Sequence, residues 1–418
     1  MAKKNSKKTV PDLRFRGFTD PWEQRQLGES FNMLRNNTLS RADLSNDRKG
    51  ILDIHYGDVL IRYRAVVDVS TLQGPSINIT DNRFLGDQLT DGDIIMADTA
   101  EDTSAGKCVE IEGVMHRNVV AGLHTIPLRP ATPSSHGYWG QYLNSASFRN
   151  QLFSKMQGTK VISLSRTTVS NATVRYPSLA EQRRIGDFFS TFDSLIAAAE
   201  RQEALLRQKK QAYLQLMFPQ EGETEPRLRF AGFSGEWSRR QLGELITEHK
   251  ETVDSHCTLP ILTSSKTEGI TLQEEHFGHK QSHDIAGYNV VPRGYCTYRN
   301  RSDDMDFTFN VNNYCDKGII SKFYPVFRGN GNDTLFISLV LNHCEEVLRE
   351  IGYTCTGTGQ RVLAFSDLQM MRIPIPTHAE QQKVAKFFEI FDSLIVATEQ
   401  RTESLRALKS AYLQRMFV

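Results

Sequence analysis

The 418 residues contain no apolar stretch of the roughly 18 to 20 residues that a membrane-spanning helix requires. The opening MAKKNSKKTV carries positive charge with no apolar run behind it, which argues against a signal peptide. Six cysteines, at 108, 257, 296, 315, 344 and 355, include no C-x-x-C pair, so free thiols in a reducing cytoplasm are the expected state. The phosphate loop G-x-x-x-x-G-K-[ST] and the nucleophile elbow G-x-S-x-G are both missing, and GTGQR from Gly357 lacks the third glycine of a dinucleotide site. So is the NPPY or DPPY tetrapeptide with which amino-methyltransferases hold a target base. His276, His279 and His283 invite a metal reading, but HFGHKQSH has no cysteine and Gly278 interrupts any helix that would align the rings, so loop histidines and no metal are expected. The net charge of +1 lacks the basic excess of many nucleic-acid binders, which leaves phosphate contacts to local placement of charge or to other subunits.

Hydrophobic residues make up 39% of the chain and charged residues 24%, enough apolar surface for packed cores. The length exceeds what one core organises, so two to three domains are expected. An internal repeat shows where they lie. LRFRGFTDPWEQRQLGE, Leu13 to Glu29, recurs as LRFAGFSGEWSRRQLGE from Leu228 to Glu244, an offset of 215 residues. PSLAEQRRIGDFFSTFDSLIAAAERQEALLRQKKQAYLQLMF from Pro177 recurs as PTHAEQQKVAKFFEIFDSLIVATEQRTESLRALKSAYLQRMF from Pro376, an offset of 199. Matched ends enclose unlike middles, the pattern of two readers that share a scaffold and differ in target.

The first copy of this segment has no Gly from Asp187 to Phe218 and no Pro from Ser178 to Phe218, and it predicts one long helix. Steps of three and four give Ile185, Phe188, Phe192, Leu195, Ala199, Gln202, Leu206, Lys209, Tyr213 and Leu216 as a heptad seam, widened by Phe189, Ile196 and Met217. The second copy gives Val384, Phe387, Phe391, Leu394, Thr398, Arg401, Leu405, Leu408, Tyr412 and Arg415, widened by Phe388, Ile395 and Met416. About 40 residues make a helix of roughly 60 Å, far longer than one small domain needs. The simplest partner for each seam is the other, giving an antiparallel intramolecular coiled coil between two globular domains around a pseudo-two-fold axis. Packing of each helix on its own domain alone is the alternative.

The middles read as α+β globules. GDVLIRY from Gly57, GDIIMAD from Gly92, GYCTYRN from Gly294 and GIISKFYPVF from Gly318 suit strands, and 138–156 and 335–351 suit shorter helices. The domains expected are 1–176, a helical region 177–218, a linker 219–226, a second globule 227–375 and a second helical region 376–418. The linker, rich in Pro, Gly and Glu, predicts a surface turn or tether.

A basic turn precedes each helix: GTKV, from Gly158 to Val161, and GQRV, from Gly359 to Val362, an offset of 201. Lys160 and Arg361 could therefore reach a phosphate or a guanine edge. Arg299 and Arg301 flank Asn300 beside Tyr295 and Tyr298, as a base-reading surface would, and Lys107 follows Gly106 in a similar turn. Solvated surface charge is the plainer account of each.

LRFxGFxxxW…QLGE, the G(T/Q)(K/R)V turns and P-x-x-A-E-Q…FF…FDSLI…A-Y-L-Q-x-M-F together resemble the specificity subunits of type I restriction-modification systems over the whole chain. The resemblance implies two target recognition domains, each reading one half of a bipartite sequence in double-stranded DNA. It implies a helical spacer that docks two methyltransferase subunits, placing Phe188, Phe189, Phe192, Leu195, Phe387, Phe388, Phe391 and Leu394 on spacer or docking surfaces. S-adenosylmethionine, ATP and Mg would belong to partner methyltransferase and restriction subunits, leaving this cytoplasmic chain without cofactor or catalysis. A coiled-coil adaptor that binds no DNA is the competing class.

Overall fold

The computed structural model describes residues 10–45, 50–77, 85–158, 160–280, 284–303, 306–357 and 359–418. Two compact units divide the chain: Met1–Arg201 with Glu399–Val418, and Gln202–Thr398. The architecture is α+β, with two 39-residue helices, α1 (Leu179–Met217) and α2 (His378–Met416), each shared between the units.

In unit 1 a five-stranded sheet runs in the order Phe31–Met33, Thr125–Pro130, Ile94–Ala97, Cys108–Glu112, Val66–Asp68. Because side chains alternate along a strand, Ile94 and Met96 face one core while Ile95 and Ala97 face another. The first core holds Cys108, Ile126 and Leu128 with the helices Tyr138–Asn144 and Ala146–Phe153. The second holds Leu52, Ile54, Val119 and Ala121 from a smaller sheet. Unit 2 is built on a four-stranded antiparallel sheet, Ile246–His249, Val326–Gly329, Cys296–Thr297, Asn310–Val311, packed by Thr334–His343 and Glu345–Thr354.

GDVLIRY does not form the expected strand. Tyr56–Ile61 is a helix, started by the His55 ring accepting from Gly57 N–H at 3.3 Å and tied by Arg62 to Asp58 one turn back, with Ile61 exposed. The branched residues look like a strand, but the local cap and ion pair decide. The linker is a turn rather than a free tether: Glu221 pairs with Arg349, and Trp237 N–H donates to Thr224 C=O at 2.9 Å.

The repeated ends close each unit in the same way. Glu23–Gln26 pairs antiparallel with Thr173–Tyr176, and Ser238–Gln241 with Arg372–Ile375, so the starting motif is stitched to the strand just before each long helix. Arg14 donates from Nε and Nη2 to Glu181 (2.6 Å each), and Arg229 does the same to Glu380 (2.7 and 2.8 Å). Gln182 and Gln381 are buried, each donating to the carbonyl of the proline before its helix. In unit 1, Leu13 N–H donates to Arg415 C=O and Trp22 meets Phe417 edge-on. In unit 2, Leu228 N–H donates to Leu216 C=O and Trp237 meets Phe218 edge-on. The start of each unit is therefore sealed by the C-terminal turn of a long helix that begins in the other copy of the repeat.

The helices pair antiparallel in each unit. In unit 1, Phe188 meets Tyr412 (5.0 Å between rings), Lys409 Nζ reaches both oxygens of Asp193 (2.7 and 2.9 Å), and Glu200 pairs with Arg406 and Arg64. In unit 2, Tyr213 meets Phe387 (5.1 Å) and Lys210 reaches Asp392 (2.5 Å). The seam differs from the expected one at four of ten positions in each helix. Phe192, Ala199, Leu206 and Tyr213 hold, but the other column is Phe189, Ile196, Glu203, Lys210 and Met217, while Leu195, Gln202, Lys209 and Leu216 are exposed. The second copy repeats this with Phe388, Ile395, Thr402, Lys409 and Met416, leaving Leu394, Arg401, Leu408 and Arg415 exposed. The reason lies in the FD of FDSLI: Asp193 and Asp392 neutralise Lys409 and Lys210, which lets a lysine occupy a seam position that an apolar template rejects.

Burial also sets one pH dependence. Asp53 is fully buried; Oδ2 accepts from Asn37 Nδ2 at 2.6 Å, and burial pushes the carboxyl up to about 6. A folded value above the ordinary carboxyl value means the folded state holds the proton more tightly. Stability from this group therefore falls as pH rises from about 4 to about 6 and stays lost above that. Asp53→Asn is expected to stabilise unit 1 at pH 7.5 by on the order of 3 kcal/mol and to leave it unchanged near pH 3.5. Urea midpoints of the two proteins across pH 3.5–7.5 check this.

Candidate nucleic-acid interface

Just before each long helix the chain makes a tight hairpin. In unit 1, Gln157 and Ser163 exchange both backbone hydrogen bonds (3.1 and 2.8 Å), with Gly158 at φ +108°. In unit 2, Thr356 and Val362 do so (3.0 and 2.8 Å), with Gly357 at φ +102°. A Cβ at Gly158 would lie 1.9 Å from the Val161 carbonyl oxygen, and one at Gly357 would lie 2.3 Å from that of Gln360. Only glycine fits either turn.

These glycines fix the equivalence of the hairpins at the offset of 199 shared with the long helices, and the 201 of GTKV and GQRV is superseded. Lys160 therefore corresponds to Gly359 and Arg361 to Ile162, so the two cations do not share a position. The backbone conformation sets the register; the resemblance of Lys to Arg does not. Gly357→Ala is expected to cost unit 2 about 1–3 kcal/mol in strain. Gly359→Ala, where a Cβ meets nothing within 4 Å, should stay within about 0.5 kcal/mol. Urea unfolding of the two variants separates the registers.

The closing strand of each hairpin pairs with a strand from the unit's middle: Ile162–Ser163 with Thr99–Ala100, and Arg361–Val362 with Arg301–Ser302. Buried Leu164 and Leu363 donate their N–H groups to Asp98 C=O (2.8 Å) and Asn300 C=O (3.0 Å). On this shared frame Asp98 occupies the place of Asn300, and Thr99 that of Arg301.

Unit 2 brings three of the expected residues together. Arg299 and Arg301 are exposed, Arg361 is half-buried on the paired strand, and the Arg301 guanidinium lies 4.4 Å from the Phe323 ring centroid. Lys322 Nζ approaches the same ring at 5.7 Å. Among the described residues none of these four cations makes an ion pair, whereas Arg229, Arg239, Arg240, Arg293 and Arg349 of the same unit all do. In unit 1, Lys160 is exposed near the hairpin tip. Lys107 is turned inward: its Nζ donates to Leu60 C=O at 2.5 Å, and burial, followed by the Arg149 charge, lowers its pKa.

Sequence reasoning missed Phe323, Lys322 and a polar group in unit 1. There Thr99 Oγ1 donates to Asp98 Oδ1 at 2.7 Å, and His124 Nδ1 lies 3.5 Å from the same oxygen. The Tyr56 ring meets His124 edge-on at 5.3 Å. His124 sits at φ +57°, a left-handed conformation unusual for a non-glycine side chain. Nothing in the sequence marks these residues, because the two frame strands share no identity.

A cavity of about 670 Å³ in unit 1 is lined by Asp91, Asp93, Glu110 and Glu112, with Asp93 paired to Arg129 and Glu112 to His136. Its acids make it unsuited to phosphate. His276 pairs with Glu268 and His279 with the Phe277 carbonyl oxygen, while His283 lies outside the described residues. No described helix is long and apolar enough to cross a membrane.

Each unit holds an unlike α+β middle on a duplicated scaffold, and in both sequence and fold the chain is similar to type I restriction-modification specificity subunits. Residues 236–407 match the family model described as the type I restriction modification DNA specificity domain. The chain is 21% identical over 416 residues to the putative type I restriction enzyme MjaX specificity subunit of Methanocaldococcus jannaschii, covering 93% of this chain and 91% of that protein. In fold it is similar to the type I restriction-modification S subunit from M. genitalium, with a TM-score of 0.57 at 12% identity over 98% of this chain and 99% of that one. A second chain, from a structure concerned with complex assembly and conformational transition of the type I R-M system, gives a TM-score of 0.50 at 16% identity over 95% and 97%.

Proposed function

We infer that each unit reads one half of a bipartite DNA site through its hairpin and frame strand, and that α1 and α2 set the gap and dock two methyltransferase subunits. The observation that carries this is one backbone frame, made twice, bearing unlike side chains in the two units. A duplicated scaffold with divergent reading surfaces suits two different half-sites. Lys160, Arg299, Arg301 and Arg361 supply cations for phosphate or base, and counterion release would make binding salt-sensitive. Lys107, turned inward onto the Leu60 carbonyl oxygen of unit 1, is not counted among them.

Docking is supported by what the helices leave uncovered. Leu195 and its counterpart Leu394 are 40% and 45% exposed, and Ile390 and Val396 are exposed beside the latter. An apolar side chain exposed at the same place in both copies suits two identical partner subunits. Those partners would carry S-adenosylmethionine and methylate adenine after flipping it from the stack. Restriction subunits using ATP and Mg would add cleavage, and this chain, cytoplasmic and without chemistry of its own, would supply the address. The test is selection of fully randomised DNA duplexes by the chain copurified with its methyltransferase subunits. Enrichment of two short motifs at a fixed gap is expected; recovery without sequence preference would leave a structural adaptor.

A further inference from the structure

We propose that the strand beside each glycine hairpin is the base-reading edge and that it gives the two units opposite preferences. Unit 2 takes guanine through Arg301, and unit 1 takes a base presenting an exocyclic amine through Asp98. This rests on the DNA-reading function proposed above and adds which base chemistry each unit accepts.

The frame makes the two edges comparable position by position. Both strands pair with the closing strand of the hairpin and accept the N–H of the buried leucine that follows it. Arg299, Asn300 and Arg301 in unit 2 thus stand where Ala97, Asp98 and Thr99 stand in unit 1. One edge has two exposed guanidinium groups; the other has a carboxylate and a hydroxyl.

In unit 2 the Arg301 guanidinium is stacked at 4.4 Å on Phe323, which holds its plane and reduces the conformational freedom lost on binding. No acid partners it among the described residues, so its N–H fork is available. A planar, five-donor fork matches the paired acceptors O6 and N7 that guanine presents in the major groove. Arg299 and Lys322, also exposed, would supply contacts to flanking phosphates.

In unit 1 the chemistry is inverted. Asp98 Oδ1 takes the Thr99 hydroxyl at 2.7 Å and faces His124, whose main-chain oxygen also accepts from Asp98 N–H at 3.0 Å. The strained His124 backbone and the Tyr56 ring hold this group in place, yet Asp98 keeps 26% of its side-chain surface. A fixed carboxylate repels phosphate and accepts from an amine, so it suits cytosine N4 or adenine N6 and rejects the O6 and N7 acceptors of guanine.

The experiment is the same duplex selection, run with the methyltransferase complex of the wild-type chain and of single variants. Arg301→Ala is expected to weaken the preference for one guanine about 10- to 100-fold in one half-site and leave the other half-site intact. Arg301→Gln should move that position toward adenine, because a side-chain amide matches N6 and N7. Asp98→Ala should relax one adenine or cytosine in the other half-site. Asp98→Asn tells these apart, strengthening an adenine preference and weakening a cytosine one. The proposal is overturned if folded Arg301 variants keep every base preference and only reduce the salt dependence, which would make Arg301 a phosphate contact. It is equally overturned if Asp98 and Arg301 variants alter the same half-site. A wild-type complex with no preference at all would instead remove the DNA-reading function itself.

Discussion

Arg14→Ala is expected to cost unit 1 about 3–5 kcal/mol, as large a loss as any single charged residue here should give. Glu181 is 1% exposed and both of its oxygens are held by Arg14 at 2.6 Å. Removing the guanidinium strands a carboxylate away from water, and the desolvation cost already incurred is no longer offset. Arg14→Lys should recover only part of the loss, since one ammonium cannot serve both oxygens as a planar fork does. Replacing the pair together, Arg14→Met with Glu181→Leu, should be milder than Arg14→Ala alone because no unpaired charge remains. The same series at Arg229 and Glu380 should act on unit 2. Urea unfolding provides the energies, and a double variant no better than Arg14→Ala would show that the pair contributes only by packing.

The second large effect separates the two faces of the long helices. Phe189 and Phe388 are fully buried; Phe189 stacks on Phe417 at 5.7 Å, and Phe388 packs on Phe218 at 6.1 Å. Truncating either to alanine should cost its unit about 3–5 kcal/mol. Leu195→Ala and Leu394→Ala, on the exposed face, should change stability by less than about 1 kcal/mol, since much of their surface is already in water. If the docking proposal is right, these two leucine variants instead lower the amount of methyltransferase retained on copurification. Thermal melts and subunit stoichiometry distinguish the outcomes. Retained partner with lowered stability would assign the leucines to the fold.

Much of this architecture was legible because it was written twice. The start motif, the long helices and the unlike middles needed only the offsets. The seam was half legible: Leu195 and Ile196 are adjacent apolar residues, and a three-four step accepts either column. What selects Ile196 is an ion pair from the other helix, Lys409 to Asp193, which periodicity along one helix cannot register. The hairpin register failed for a related reason. Matching Lys160 to Arg361 followed side-chain chemistry, whereas the chain aligns on Gly158 and Gly357, where φ admits no other residue. Arg299, Arg301 and Arg361 were legible as a cationic group. Their counterparts Ala97, Asp98 and Thr99 were not, because the equivalence runs through strand pairing and no shared residue reports it.

The function proposed for this chain is to give sequence address to a methylating complex. Methylome sequencing of cells with and without the chain tests it most directly, since one measurement reports both half-sites, their gap and the modified base. A single bipartite motif, methylated on adenine, is expected to disappear when the chain is removed. Identical methylomes in the two cell lines, with the methyltransferase subunits present in both, would contradict it.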